Sequence, residues 1–190
     1  RNRFKSVEYR YGDGCKLTGQ RLYVQHVGNI RVRLHRPLPD GAEIKQVVIK
    51  RSVGKWYVCL QLELPAAEPV VHPGPAIGID VGLHHLLALS DGSTVQNPRW
   101  LRSSQAKLKV AQRRLSRRKQ FGAGWCKAAR QVALLQEHVA NQRLDFWHKV
   151  TTDLALKHGL IAVEDLNLAF MTRNGNLSLS AHDAALGVFR

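Results

Sequence analysis

Cysteine is scarce in this sequence: Cys15, Cys59 and Cys126 stand alone, with no Cys-x-x-Cys pair between them. Scattered thiols of odd number build neither a disulfide framework nor a zinc site within these residues. They read as small side chains of a reducing compartment. Long apolar runs are missing too. No stretch approaches the roughly 20 residues of a spanning helix, and no signal-peptide pattern opens the chain. The expectation is a cytoplasmic, nucleoid-associated protein with no membrane partner. Acid is the third shortage: Asp+Glu number 14 against 29 Lys+Arg, a formal net charge of +15 over 190 residues. That imbalance says little about fold and much about partners, and the polyanion it favours is nucleic acid. Apolar residues make up 44% of the chain, enough for a sizeable core, so wholesale disorder is excluded.

Residues 1–66 alternate and turn like a β-domain. Arg21–Gln25, Asn29–Leu34, Ile44–Lys50 and Lys55–Glu63 each carry period-two character, and glycine, proline and aspartate separate them. Short antiparallel strands at this spacing predict a small barrel, with Arg31, Arg33, Lys45 and Arg51 studding alternate positions as a cationic face. Trp56 and Tyr57 could stack on bases, but their adjacent positions on a strand put one of them in the barrel core. Residues 67–75 contain a run of prolines and read as a stiff linker, which sets the domain boundary.

From Ala76 the pattern changes. Strands are expected at Ala76–Leu83 and His85–Ser90, with a short one near Ser93–Gln96. A helix follows Pro98, with Leu101, Leu108, Ala111 and Leu115 on one face. Gly122 to Gly124 breaks it, and a second helix keeps Trp125, Ala128, Val132, Leu135, Val139, Phe146, Val150 and Leu154 in helical spacing. The two helices should form an antiparallel hairpin. Gly159 stops the second, and Leu160–Val163 returns to the sheet. Strands, helix pair, strand: this order fits a ribonuclease H-like α/β fold over residues 76–190.

Asp80 interrupts the apolar run from Ala76 to Leu83, and Glu164 and Asp165 end the run from Gly159. An ionised carboxylate in a buried strand is costly unless a cation or a set of hydrogen bonds compensates it. A lone strand aspartate is equally an edge residue or a turn former. Two acid-tipped strands with a basic segment between them point further, to a hard divalent cation and phosphodiester chemistry. The helical segment supplies the counterpart. Arg113, Arg114, Arg117, Arg118 and Lys119 fall within about two helical turns with no acid, and Lys107, Arg143 and Lys149 add to them. Solvation alone does not need that density, whereas a phosphate backbone would use it.

Four segments together resemble a known family. They are Gly78-Ile79-Asp80-Val81-Gly82-Leu83, Leu115-Ser116-Arg117-Arg118-Lys119, Asn141 to Lys149, and Val163-Glu164-Asp165-Leu166-Asn167-Leu168. In this order and spacing they look like the RuvC-like nuclease region of TnpB proteins, transposon-encoded RNA-guided DNA nucleases related to type V CRISPR effectors. The preceding β-region, with His35-Arg36 and Gly54-Lys55-Trp56-Tyr57, is similar to the end of their wedge domain. The resemblance implies a guide RNA and a double-stranded DNA target as partners. It also implies three carboxylates on Mg²⁺ (or Mn²⁺), with Asp80 as the first and Glu164 as the second. The third is expected beyond Arg190, after a zinc ribbon, and Asp91, Asp165 and Asp183 are not expected to replace it. Both ends read as cut, so this stretch is expected to be a nuclease core that cuts weakly or not at all alone. Two alternatives stay open. One is a remnant that grips RNA or DNA without cutting, and the other a resolvase or transposase of the same fold that needs no guide RNA.

Overall fold

In the computed structural model the described residues are 5–66, 72–164, 173 and 177–189. They divide into two compact units, Arg1–Pro69 and Val70–Arg190. Together they make a mixed α/β protein with three sheets among the described residues.

The first unit is all β. Strands β1 (Ser6–Arg10), β5 (Glu43–Ser52) and β6 (Lys55–Glu63) form one antiparallel sheet in the order β1-β5-β6. Strands β2 (Cys15–Thr18), β3 (Arg21–Val24) and β4 (Gly28–Arg31) form the other, also antiparallel. Alternation explains why they meet. Leu22 and Val24 of β3 and Val47 and Ile49 of β5 are the buried residues of their strands, and with Cys15 they make one apolar cluster. Tyr11 pins the corner, its hydroxyl donating to the Leu17 carbonyl at 3.3 Å and accepting from the Leu17 N–H at 3.2 Å.

The barrel expected here is not closed among the described residues. β2, β3 and β4 have 4 residues each, against 10 in β5 and 9 in β6. Strands that short leave the two sheets joined through side chains rather than through a continuous ladder. The expectation for the aromatic pair also fails. Neither ring is in the core: Trp56 is 59% exposed and Tyr57 38%.

The second unit carries a four-stranded mixed sheet. Its strands are β7 (Ala76–Val81), β8 (His85–Leu89), β9 (Thr94–Gln96) and β10 (Leu160–Val163), in the order β10-β7-β8-β9. β7, β8 and β9 form an antiparallel meander, while β10 runs parallel to β7. A parallel partner needs a crossover, and helices α1 (Trp100–Ser116) and α2 (Ala123–Lys157) lie on that connection. α2 has 35 residues, and its buried positions are Ala128, Val132, Val139, Trp147 and Leu154. Trp147, rather than the expected Phe146, is the one locked in the core. It is 1% exposed, and its indole N–H donates to the Ala184 carbonyl at 3.0 Å. It packs with Ile77, Ile79 and Val81 of β7 and Leu86 and Leu87 of β8.

Two glycines fix how α2 hands over to β10. The Gly159 N–H donates to the Gly74 carbonyl at 3.1 Å. A Cβ on Gly74 would run into the Lys157 carbonyl oxygen, and one on Gly159 into that of His72. Only glycine permits this approach.

A short helix, α3 (Ser178–Ala184), and a 3-10 turn at Leu186–Val188 return to the same core through Ala184 and Leu186. α3 also supplies what α1 lacks. Arg99, before α1, has φ 53 and offers no side-chain cap, and the first turn of α1 has no acid. Asp183, 2% exposed, accepts from the Leu101 N–H at 2.7 Å and the Arg102 N–H at 3.2 Å. It thereby caps from a distance donors that a helix leaves unsatisfied. No helix among the described residues is long and apolar enough to cross a membrane.

Candidate functional site

Asp80 lies on β7 between Ile79 and Val81, both buried, yet is itself exposed. The strand alternates: Ile77, Ile79 and Val81 enter the core, and Gly78 and Asp80 take the opposite face. The buried charge expected from the apolar run is therefore absent. Gly78 broke the visible alternation in the sequence, because a residue without a side chain marks neither face. Glu164, also exposed, follows β10 directly. The parallel register pairs Ala162 with Gly78 and Val163 with Ile79. The pairing runs no further than Val163 and Ile79, and Glu164 and Asp80 are the residues that directly follow them. Neighbouring strands lie about 4.8 Å apart. The two acids thus follow paired positions at the same end of two adjacent strands.

The other acids have different duties. Asp165 lies outside the described residues. Asp91 sits past β8, toward the start of β7, where its carboxylate accepts from the Ser93 hydroxyl at 2.7 Å and the Ser93 N–H at 2.8 Å. These bonds, the hydroxyl's foremost, hold its pKa below the ordinary carboxylate value. Asp183 is committed to α1. Among the described residues no group of three or more His, Cys, Asp or Glu side chains is placed to hold a metal.

The oxygen-only chemistry of Asp80 and Glu164 suits a hard cation such as Mg²⁺ or Mn²⁺, which completes its shell with water and substrate oxygens. Two carboxylates make such a site partial. His84, in the β7–β8 turn, and His85, the first residue of β8, have ring centroids 4.5 Å apart at the same end of the sheet.

The cations separate into three groups. Lys107, Arg114 and Arg118 come together along a groove of about 830 Å³ between α1 and α2, whose floor includes Val110, Ala111 and Ala128. Lys127 of α2 joins them there. It lies outside the basic run, and only its distance of one helical turn from the start of α2 could have pointed to it. Arg113, Arg117 and Lys119 are exposed on or just past the same helix. Arg143 and Lys149 are engaged with protein partners. Arg143 has a side chain 17% exposed and reaches Asp183 at 3.4 Å, while Lys149 pairs with Asp145 at 2.7 Å one turn away.

Two acids that follow adjacent parallel strands and a groove lined by cations between α1 and α2 define a class: a strongly basic mixed α/β protein. Comparison with known proteins narrows it. The chain belongs to the family OrfB_IS605, described as "Probable transposase", which it matches over residues 57–175. That family takes in the TnpB-like proteins. A relative in Escherichia coli (strain K12), "Putative RNA-guided DNA endonuclease InsQ", is 33% identical over 176 residues, covering 92% of this chain and 43% of the relative. Another in Streptomyces pristinaespiralis, "Putative RNA-guided DNA endonuclease", is 34% identical over 185 residues, 95% of this chain and 45% of the relative. A protein of Mycobacterium tuberculosis with the same description is 27% identical over 164 residues. The chain spans less than half the length of these relatives.

Proposed function

We propose that this chain carries two of the metal ligands and much of the phosphate-holding surface of an RNA-guided, metal-dependent DNA endonuclease with a ribonuclease H-like, RuvC-like core. The observation that carries the reading is the parallel pairing of β7 with β10, which runs up to Ile79 and Val163, the residues directly before Asp80 and Glu164. The family and the names of its relatives support the partners: a guide RNA and a double-stranded DNA target.

Asp80 and Glu164 would hold Mg²⁺ or Mn²⁺ through carboxylate oxygens. The ion, when bound, supplies charge stabilisation for a phosphodiester displacement and lowers the pKa of a water. Asp80, on the inner of the two strands, is the side chain both metal and substrate phosphate must approach. Lys107, Arg114, Arg118 and Lys127 hold backbone phosphate and bring no sequence preference of their own. Base pairing with a guide would read the sequence. Two carboxylates bind a divalent ion weakly, so the chain alone grips nucleic acid better than it cuts it.

The test is cleavage by the longer protein with guide RNA and Mg²⁺. Asp80→Ala and Glu164→Ala should each abolish cutting while leaving target binding intact. Cleavage that survives Asp80→Ala would overturn the assignment. Cleavage without guide RNA would favour a resolvase-type or transposase activity instead.

A further inference from the structure

Trp56 is on the wrong side of the protein's own logic. It continues the inward face of β6, the face of Val58 and Leu60, which pack on the first unit's core. Yet it is 59% exposed, because the core ends before reaching it. Around it opens a groove of about 960 Å³ with an apolar floor that includes Val24, Ile30, Ile49 and Val58. Trp56 and Tyr57 stand at one side. Arg31, Arg33 and His35 stand on the rim, and among the described residues no acidic side chain lines the groove.

The rim is regular. From Arg31 to His35 exposure alternates, with Arg31, Arg33 and His35 outward and Val32 and Leu34 tucked in. The Arg51 guanidinium lies 5.7 Å from the Trp56 ring centroid. That interaction orients the ring.

We propose that this groove binds an unpaired nucleotide strand, one base stacking on Trp56 and the flanking phosphates lying along Arg31, Arg33 and His35. The chemistry argues against an apolar peptide as occupant, since three cationic or ionisable side chains without a compensating acid would be desolvated by it. Stacking on an exposed indole tolerates any base, while the phosphates supply the charge-dependent part. Neither Asp80 nor Glu164 lines this groove, and its test involves neither metal nor cleavage. It therefore stands or falls apart from the nuclease reading.

The experiment measures affinity by fluorescence anisotropy for three labelled strands of equal length: an oligouridylate, an oligothymidylate and an abasic strand. Trp56→Leu keeps an apolar cover and cannot stack, whereas Trp56→Phe can. Trp56→Leu should weaken both base-bearing strands roughly tenfold or more, leave the abasic strand unchanged and leave the salt slope intact. Trp56→Phe should recover most of the loss. Arg31→Ala with Arg33→Ala should instead flatten the salt slope by roughly 0.7 per phosphate released on all three strands. The tighter of the two base-bearing strands identifies RNA or DNA as the natural ligand. Equal affinity of Trp56→Leu and the parent for the base-bearing strands would overturn the proposal. So would an equal loss on the abasic strand.

Discussion

Asp183 shows how much one carboxylate can organise. It is buried, it accepts two N–H donors from the start of α1, and it pairs with Arg143 of α2. Removing it strands three groups at once. Asp183→Ala should cost about 2–4 kcal/mol of stability, read as a lowered midpoint in urea unfolding. Asp183→Asn, which keeps the shape and loses the charge, should cost less. Asp91 makes a gentler case. Its folded pKa is depressed by the Ser93 hydroxyl and N–H. A depressed acid stabilises the fold above its unfolded pKa, and the contribution fades as pH falls through the folded value. Ser93→Ala should move the Asp91 titration, followed by NMR, back up toward the ordinary carboxylate range. The strands that carry Asp80 and precede Glu164, which pair in parallel, were legible from the sequence. The outward turn of Asp80 was not, because Gly78 hid the alternation that sets it.

At the scale of elements, the helix pair was the most legible part of the chain. Apolar spacing marked α1 and α2 to within a few residues of their observed ends, and Gly159 marked the handover to β10. Gly74 was not foreseen, since a close backbone approach between distant segments leaves no local signature. Gly74→Ala or Gly159→Ala should lower stability by about 2 kcal/mol or more, checked by thermal unfolding. A neutral result would mean that β10 can pair with β7 without that approach. The basic face was legible as charge but not as geometry. Nothing near Arg143 in the sequence announces Asp183, so it read as one more surface cation. Replacing Arg113, Arg114, Arg117 and Arg118 together with Ala should flatten the salt dependence of nucleic-acid affinity. On duplex DNA the log–log slope should fall by about 0.9 for each phosphate no longer neutralised. The β-region was the least legible. Its strands alternate plainly, but whether they close a barrel depends on strand length and edge pairing, which period-two patterning does not encode.

For the whole molecule, charge and metal should act on separable steps. The +15 charge attracts a polyanion whether or not a cation is bound at the acid pair. On the proposed function, Asp80 and Glu164 serve only the chemistry at one phosphodiester. In the longer protein with guide and target, chelating divalent ions with EDTA should therefore abolish cleavage and leave binding within a few-fold. Re-adding Mg²⁺ should restore cutting, and Asp80→Ala should block that restoration at any Mg²⁺ level. Raising salt should do the reverse, releasing nucleic acid while the metal pair remains competent. If EDTA instead released the target, the divalent ion would be holding nucleic acid rather than serving the chemistry. The acid pair would then be a docking point, and the cationic groove of α1 and α2 would not be sufficient to hold the strand.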